Sequence, residues 1–140
     1  IRDRDIGSWA VLDGKGSSAE LNARAISVGN SKLVARITVD GNSEDCRGHI
    51  ECRGLVLDDN SVLEAIPILH AATKGPDLTH EAAVGKLSER EIMYLMSRKM
   101  EKDEAIGALV RGFLDIEIVG LPESVRKGID KVAEIVVDAS

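Results

Sequence analysis

The residues best suited to metal or sulfur chemistry are two cysteines and three histidines. Cys46, His49 and Cys52 lie within the run CRGHIEC, and thiol and imidazole groups are ligands of zinc and of iron–sulfur clusters. A strand through this run places His49 and Cys52 on opposite faces, because their spacing is odd. The run also lacks the tight cysteine pair of common zinc sites, so we expect separate residues and not one closed site.

Cys52 alone admits two interpretations. It shares the predicted strand face with Ile50, and free cysteine is commonly a small buried hydrophobic residue. The spacing favours this first interpretation. The second is a sulfur nucleophile or a cluster ligand, which requires a thiolate and access to it.

His80 and Glu81 stand side by side in LTHEAAVGKL, residues 78–87. They admit three interpretations: two metal ligands, an acid–base pair, or a polar turn that leads into a helix. In an extended chain the two side chains would point in opposite directions and could not bind one ion. The residues themselves favour the turn, and we expect the chain to bend here.

The elements that must position these residues show two different periods. From about residue 6 to 75, apolar and polar residues alternate as in β-strands. Four runs carry the alternation, separated by turn-forming residues: ELNARAISV, KLVARITVDGN, GHIECRGLVL and VLEAIPILHA. Short strands at this spacing indicate a sandwich, a barrel or a β-solenoid. Stripes of Val, Ile and Leu with only 2 % aromatic residues favour a solenoid over a sandwich.

From Ser88 onward the apolar residues follow the period of a helix. Ser88 and Glu91 form a capping-box sequence, which predicts the start of a first helix. A second helix is predicted over about residues 102–114, and a third begins at Pro122. The predicted inward face of the third helix consists of apolar residues at helical spacing: Val125, Ile129, Val132, Ala133 and Val136.

The change of period divides the chain into two predicted domains, a β domain over residues 1–87 and a helical domain over residues 88–140. The chain begins with Ile in the middle of patterned sequence, which predicts a fragment of a longer protein.

Composition excludes several classes of function. The net charge of −6 and the lack of a Lys/Arg cluster argue against nucleic acid as a partner. No apolar run is long enough to span a membrane, and no glycine-rich phosphate loop predicts a nucleotide site. Two cysteines do not make a disulfide framework, so we expect a reducing, cytoplasmic setting.

The stretch THEAAVGKLSEREIMYLMSR and the later ALVRGFLD resemble the C-terminal part of the SufB/SufD family. The resemblance extends from the strands around Cys52 to at least Leu121. Proteins of this family assemble iron–sulfur clusters and are often labelled as ABC-transporter components. The resemblance implies a mainly β fold with α, in which a right-handed parallel β-helix is followed by a small helical C-terminal domain.

The resemblance also implies roles for three residues. Cys52 matches the sulfur-accepting, cluster-assembly cysteine of the SufB branch. His80 matches a metal-site histidine of the SufD branch, and Glu81 matches an acidic residue of the SufB branch. A transient iron–sulfur cluster bound by Cys52, His80 and Glu81 is therefore expected, with no nucleotide bound by this chain. The neighbouring Ala83 departs from the family, which has Thr or Ser there.

The partners implied by the resemblance are a sulfur donor protein, a second protomer and an ATPase. The chain is expected to be a scaffold and not an enzyme, pairing through β-helix edges with itself or with a SufB/SufD paralogue. The helices from Ser88 to Leu114 would dock the SufC-type ATPase through adaptable side chains: Met93, Tyr94, Met96 and Met100. The alternatives are a SufD-like structural subunit without its own cluster and an unrelated β-solenoid binding protein.

Overall fold

A computed structural model of the chain describes residues 2–115 and 120–139. These residues form six strands followed by three helices. The strands are Arg2–Leu12 (β1), Ser18–Ser27 (β2), Ser31–Gly41 (β3), Arg47–Val56 (β4), Val62–Ala71 (β5) and Asp77–Lys86 (β6). The helices are Glu89–Ser97 (α1), Lys102–Leu114 (α2) and Glu123–Ala139 (α3). The prediction of a mainly β chain with helices at its end is confirmed.

The strands form two parallel three-stranded sheets. Sheet A has the order β1-β3-β5 and sheet B has the order β2-β4-β6, so the chain alternates between the sheets at every turn. Each of the strands β1 to β4 therefore pairs with the second strand after it. Parallel partners need a connection long enough to return the chain to its starting side, and here that connection contains one strand of the other sheet.

The core lies between the two sheets and contains small aliphatic and sulfur-containing side chains. One buried cluster draws on both sheets and on the turn before β4: Leu12, Ile37, Val39, Cys46, Ile50 and Cys52. The alternation predicted in KLVARITVDGN is confirmed, because Ala35, Ile37 and Val39 are buried whereas Lys32 and Arg36 are exposed. Since parallel neighbours in register point to the same side, each inward stripe continues across its sheet, but it is exposed over most of β1 and β6.

Turns between the strands are bonded to one another as well as to the strands. Gly29 and Asn30 have positive φ values of 70° and 60°, a conformation that glycine and asparagine adopt most readily. The Gly29 amide donates to the Asp58 carboxylate, at 2.8 Å, in the turn that follows β4. Asp58 also accepts from the Ser61 hydroxyl, and this bond is the main cause of the lowered pKa of Asp58.

The helical residues belong to a second compact unit, Leu87–Ser140, which is separate from the unit Ile1–Lys86. The predicted capping box of α1 is present, because the Ser88 side chain accepts from the Glu91 amide. Helix α2 has the predicted bounds. It begins with a second capping box, formed by Glu101 and Glu104.

Helix α3 begins at Glu123, directly after the predicted first residue Pro122. Its predicted inward face is correct only in part. Ala133 and Val136 are buried, whereas Val125 and Val132 are about half exposed. The apolar stripe of α3 is thus wider than the surface that α2 covers. Within the described part of the chain, no helix combines the length and the apolar character needed to cross a membrane.

The valines of the β unit provide a test of where the core lies. Val39 is fully buried and Val62 is about half exposed. We expect Val39→Ala to lower the free energy of unfolding by about 2 kcal/mol, because it removes two buried methyl groups and leaves a cavity. Val62→Ala is the matched control and should change it by less than about 0.5 kcal/mol. Urea unfolding measures both, and equal effects would contradict the assigned core.

Candidate functional site

Strand β4 positions Cys52 on its buried face. Gly48, Ile50 and Gly54 share that face, as the spacing of two predicts. In sheet B, Cys52 lies in register with Ala23 of β2 on one side and with Ala82 of β6 on the other. Burial raises the pKa of the Cys52 thiol, and the nearby Arg24 offsets only part of this effect. Cys52 is therefore a neutral, covered thiol in this conformation.

His80 and Glu81 both lie within β6, and the predicted bend at this pair is wrong. The strand runs without interruption from Asp77 to Lys86. Parallel pairing with β4 supplies the backbone hydrogen bonds of the segment, so the polar pair does not end the strand. Its side chains alternate between the two faces like those of any strand.

The register then decides which candidate residues can meet. His80 is paired with Ile50 and Glu81 with Glu51. Because parallel partners point to the same side, His80 lies on the face of Ile50 and Cys52, whereas Glu81 lies on the opposite face. The strand spacing and the rise per residue put the Cα atoms of Cys52 and His80 on the order of 8 Å apart.

Cys52 and His80 thus provide a thiol and an imidazole on one face, a donor set that suits iron or zinc. His80 is exposed and Cys52 is covered. Over residues 2–115 and 120–139, no group of three or more His, Cys, Asp or Glu side chains could hold a metal ion. Within one protomer the candidate site is therefore two donors, with Glu81 placed elsewhere.

Glu81 instead ends a row of alternating charges on the outer face of sheet B. Arg24 donates from Nη2 to Oε2 of Glu51 at 2.9 Å. The other Glu51 oxygen, Oε1, contacts Nε of Arg53 at 2.6 Å. Nη2 of Arg53 lies 3.6 Å from Oε1 of Glu81. The bond from Arg24 is the main reason that the pKa of Glu51 lies below its ordinary value.

The remaining histidines and Cys46 do not join the site. Cys46 is buried in the turn before β4. His49 lies on the outer face, where its Nδ1 is 2.8 Å from the Thr79 hydroxyl. Cys46, His49 and Cys52 are therefore separate residues. His70 is exposed near the end of β5, and its Nδ1 lies 2.8 Å from the Asp40 carboxylate.

The side chains predicted to bind a partner lie on or just after α1. Met93, Tyr94 and Met96 are exposed, whereas Met100 is partly buried beyond the end of the helix. The Arg98 guanidinium lies 5.2 Å from the centre of the Tyr94 ring, so that ring already has one cationic neighbour.

The charged row was missed in the sequence, although part of its signal is visible there. Glu51 and Arg53 flank Cys52, so a strand that buries Cys52 must expose both. The contacts with Arg24 and Glu81 depend on the register of three strands. No local pattern specifies that register.

A family model and individual relatives of known family indicate the same family for this chain. The family model described as "SUF system FeS cluster assembly, SufBD core domain" matches residues 2–113. An iron–sulfur cluster assembly SufBD family protein of Archaeoglobus fulgidus is 47 % identical over 131 residues, covering 94 % of this chain and 35 % of that protein. One from Pyrococcus horikoshii is 30 % identical over 133 residues, covering 95 % of this chain and 30 % of the relative. The chain spans about a third of the length of these curated relatives.

The charged row predicts a pH-dependent contribution to stability. We expect Glu51→Gln to lower the free energy of unfolding by about 1–3 kcal/mol at neutral pH. The substitution leaves Arg24, whose side chain is only 11 % exposed, without its carboxylate partner. Since the folded pKa of Glu51 is lowered, this contribution is present above the ordinary glutamate pKa of about 4.3. It is lost as the pH falls through the folded value.

Urea unfolding at neutral pH and in acid measures the effect. The difference in free energy of unfolding between wild type and Glu51→Gln should have its largest value at neutral pH and should disappear in acid. Glu64→Gln is the control, because the Glu64 side chain is 50 % exposed in its contact with Lys32. A difference for Glu51→Gln that does not change with pH would contradict the assigned role of this carboxylate.

Proposed function

Since this chain belongs to the SufBD family of iron–sulfur cluster assembly proteins, we propose that it is a scaffold on which a cluster is built and held until transfer. The cluster is the cargo of the protein and not a resident cofactor. The observation that carries this proposal is the placement of Cys52 and His80 on one face of neighbouring strands. A soft thiolate and an imidazole are suitable ligands for iron.

The β unit is, in this proposal, the end of a right-handed parallel β-helix. The alternation of consecutive strands between two parallel sheets supports this, because each pair of strands then makes one coil. A β-helix buries its inner stripes coil upon coil. Small aliphatic side chains and Cys52 occupy those stripes here.

Cys52 accepts sulfur by thiol–persulfide exchange. Its thiolate attacks the outer sulfur of a persulfide on a donor protein, and the donor thiolate leaves, so the step needs no external oxidant or reductant. The thiolate must first form and become accessible, since Cys52 is covered and its pKa is raised. A change in the β unit that uncovers Cys52 is therefore part of the proposal.

A second protomer, either another copy or a SufB/SufD paralogue, completes the ligand set. Among the residues that the structure describes, one protomer brings two donors to a common face, and a cluster takes four ligands in most iron–sulfur proteins. Pairing through the edges of the sheets would bring a second pair of donors. Glu81 contributes if it leaves the outer face of its strand.

ATP hydrolysis is assigned to a SufC-type partner, and this chain is not an enzyme. The exposed side chains of α1 support a docking surface for that ATPase, because methionine and tyrosine are adaptable contact residues. A SufD-like structural subunit without its own cluster is the second candidate. The burial of Cys52 favours it, since a structural cysteine needs no access.

Cluster reconstitution distinguishes the two candidates. We expect the dimeric wild type, incubated anaerobically with iron and sulfide, to show the visible absorption of a cluster. Cys52→Ala should abolish it, because the thiolate ligand is lost. Cys46→Ala is the matched control, since Cys46 is equally buried but lies outside the site. Unchanged absorption in Cys52→Ala would remove Cys52 from the site, whereas a wild type that shows no cluster absorption would favour the structural subunit.

Charge placed on α1 tests the docking surface. We expect Met93→Glu to weaken co-purification with the SufC-type ATPase at least tenfold, because a carboxylate would be desolvated in the interface. The control is Ile135→Glu on α3, where the apolar side chain is 58 % exposed, compared with 61 % for Met93. Equal retention of the ATPase by both variants would show that α1 is not the docking surface.

A further inference from the structure

Strand β6 covers Cys52 on one side and is itself weakly packed. Ala82 of β6 lies in register with Cys52, which is 2 % exposed. β6 is an edge strand of sheet B, and apart from the partly buried Leu78 all its residues are exposed. β2, the neighbour of β4 on the other side, has Ala25 and Ser27 buried. Cys52 is therefore covered less firmly on the side of β6.

The first residues of β6 are held by the core. The Asp77 amide donates to the Cys46 carbonyl at 2.9 Å, and Leu78 packs against the buried cluster between the two sheets. Residues 79–86 are exposed throughout. They include Gly85, where an added Cβ would meet no neighbouring atom within 4 Å, and a glycine inside a strand weakens it. The second half of β6 thus depends on its contacts with β4 and with the turn that follows β4.

Ion pairs between exposed side chains connect this second half to β4 and to that turn. Nη2 of Arg53 lies 3.6 Å from Oε1 of Glu81, and Nζ of Lys86 lies 2.6 Å from Oδ1 of Asp59. Exposed ion pairs contribute little to stability and are screened by salt. Glu81 also lies directly opposite Glu51, and like charges in that relation weaken the pairing of two strands. Backbone pairing with β4 is therefore the main attachment of this segment.

We propose that residues 79–86 form a lid over Cys52, and that a sulfur donor reaches the thiol when this lid separates from β4. The inference rests on the proposed function, in which Cys52 must become accessible, and it identifies the segment that moves. β4 is also paired with β2, and this pairing is kept. One side of Cys52 is thus uncovered while the core on its other side stays packed. Closure returns His80 to the face that it shares with Cys52.

Alkylation of Cys52 by iodoacetamide measures the fraction of time for which the lid is open. The Cys46→Ala background leaves Cys52 as the single thiol of the chain. We expect Lys86→Gln to raise the alkylation rate about two- to fivefold, because the lid loses its ion pair with Asp59. Gly85→Ala should lower the rate about two- to fivefold, because alanine restricts the open segment and its Cβ meets no neighbouring atom.

Lys32→Gln is the matched control. Lys32 also pairs with one carboxylate, that of Glu64, but this ion pair connects β3 and β5 of the other sheet. The substitution should leave the alkylation rate unchanged. Equal rates for the two lysine variants, or a rate that Gly85→Ala does not lower, would overturn the inference.

Urea distinguishes opening of the lid from unfolding of the whole β unit. Release of half a strand exposes less surface than unfolding does, so the alkylation rate should rise with urea with a much smaller slope than global unfolding shows. A slope equal to that of global unfolding would mean that Cys52 is reached only in the unfolded chain, and this result also overturns the inference.

Sulfur transfer from glutathione persulfide, measured by mass spectrometry, tests the role of the lid in the proposed reaction. Its rate should follow the alkylation rate in Lys86→Gln and in Gly85→Ala, and a transfer rate that does not change with the lid contradicts that role. Neither reagent supplies iron, so these results are independent of cluster reconstitution with Cys52→Ala. Failure of the lid leaves the scaffold proposal intact, whereas failure of that reconstitution removes the function that the lid serves.

Discussion

Parallel pairing between every strand and the second strand after it determines where each side chain of the β unit lies. Within one strand, the spacing of two residues determines whether they share a face. Pairing determines the same for residues on neighbouring strands, because partners in register point to the same side. The buried stripes, the covered thiol of Cys52 and the outer row of charges all follow from this constraint.

The sequence predicted the parts of the fold that depend on local patterns. Period-two alternation, the capping box at Ser88 and the bounds of α2 are properties of short segments. Strand β6 was different: its polar pair, His80 and Glu81, resembles a turn in isolation. Only pairing with β4 makes this segment a strand. The exposure of Val125 and Val132 on α3 likewise depends on how much surface the neighbouring helix covers.

In the candidate site, too, some features follow from local sequence patterns and others only from long-range strand pairing. Cys52 could be identified as a covered residue from its spacing to Ile50, and the resemblance to a family identified its chemistry. That Glu81 lies opposite to Cys52 and His80 could not be predicted while the chain was expected to bend between them. Contacts of Arg53 with two carboxylates required the register of sheet B, which arises from long-range pairing. Cys52 is accordingly both a packed core residue and the candidate sulfur acceptor, and these two properties oppose each other.

The pairing also constrains how this chain can vary in length over evolution. Arg2 pairs with Ser31, an offset of 29 residues, whereas Lys32 pairs with Val62, an offset of 30 residues. The extra residue is accommodated between strands, so the faces of both strands are preserved. An insertion of one residue inside β4, before Glu51, would transfer the Cys52 thiol to the outer face and turn Glu51 inward. Gaps between related sequences should therefore fall in the turns, and single-residue insertions within β4 should be eliminated by selection.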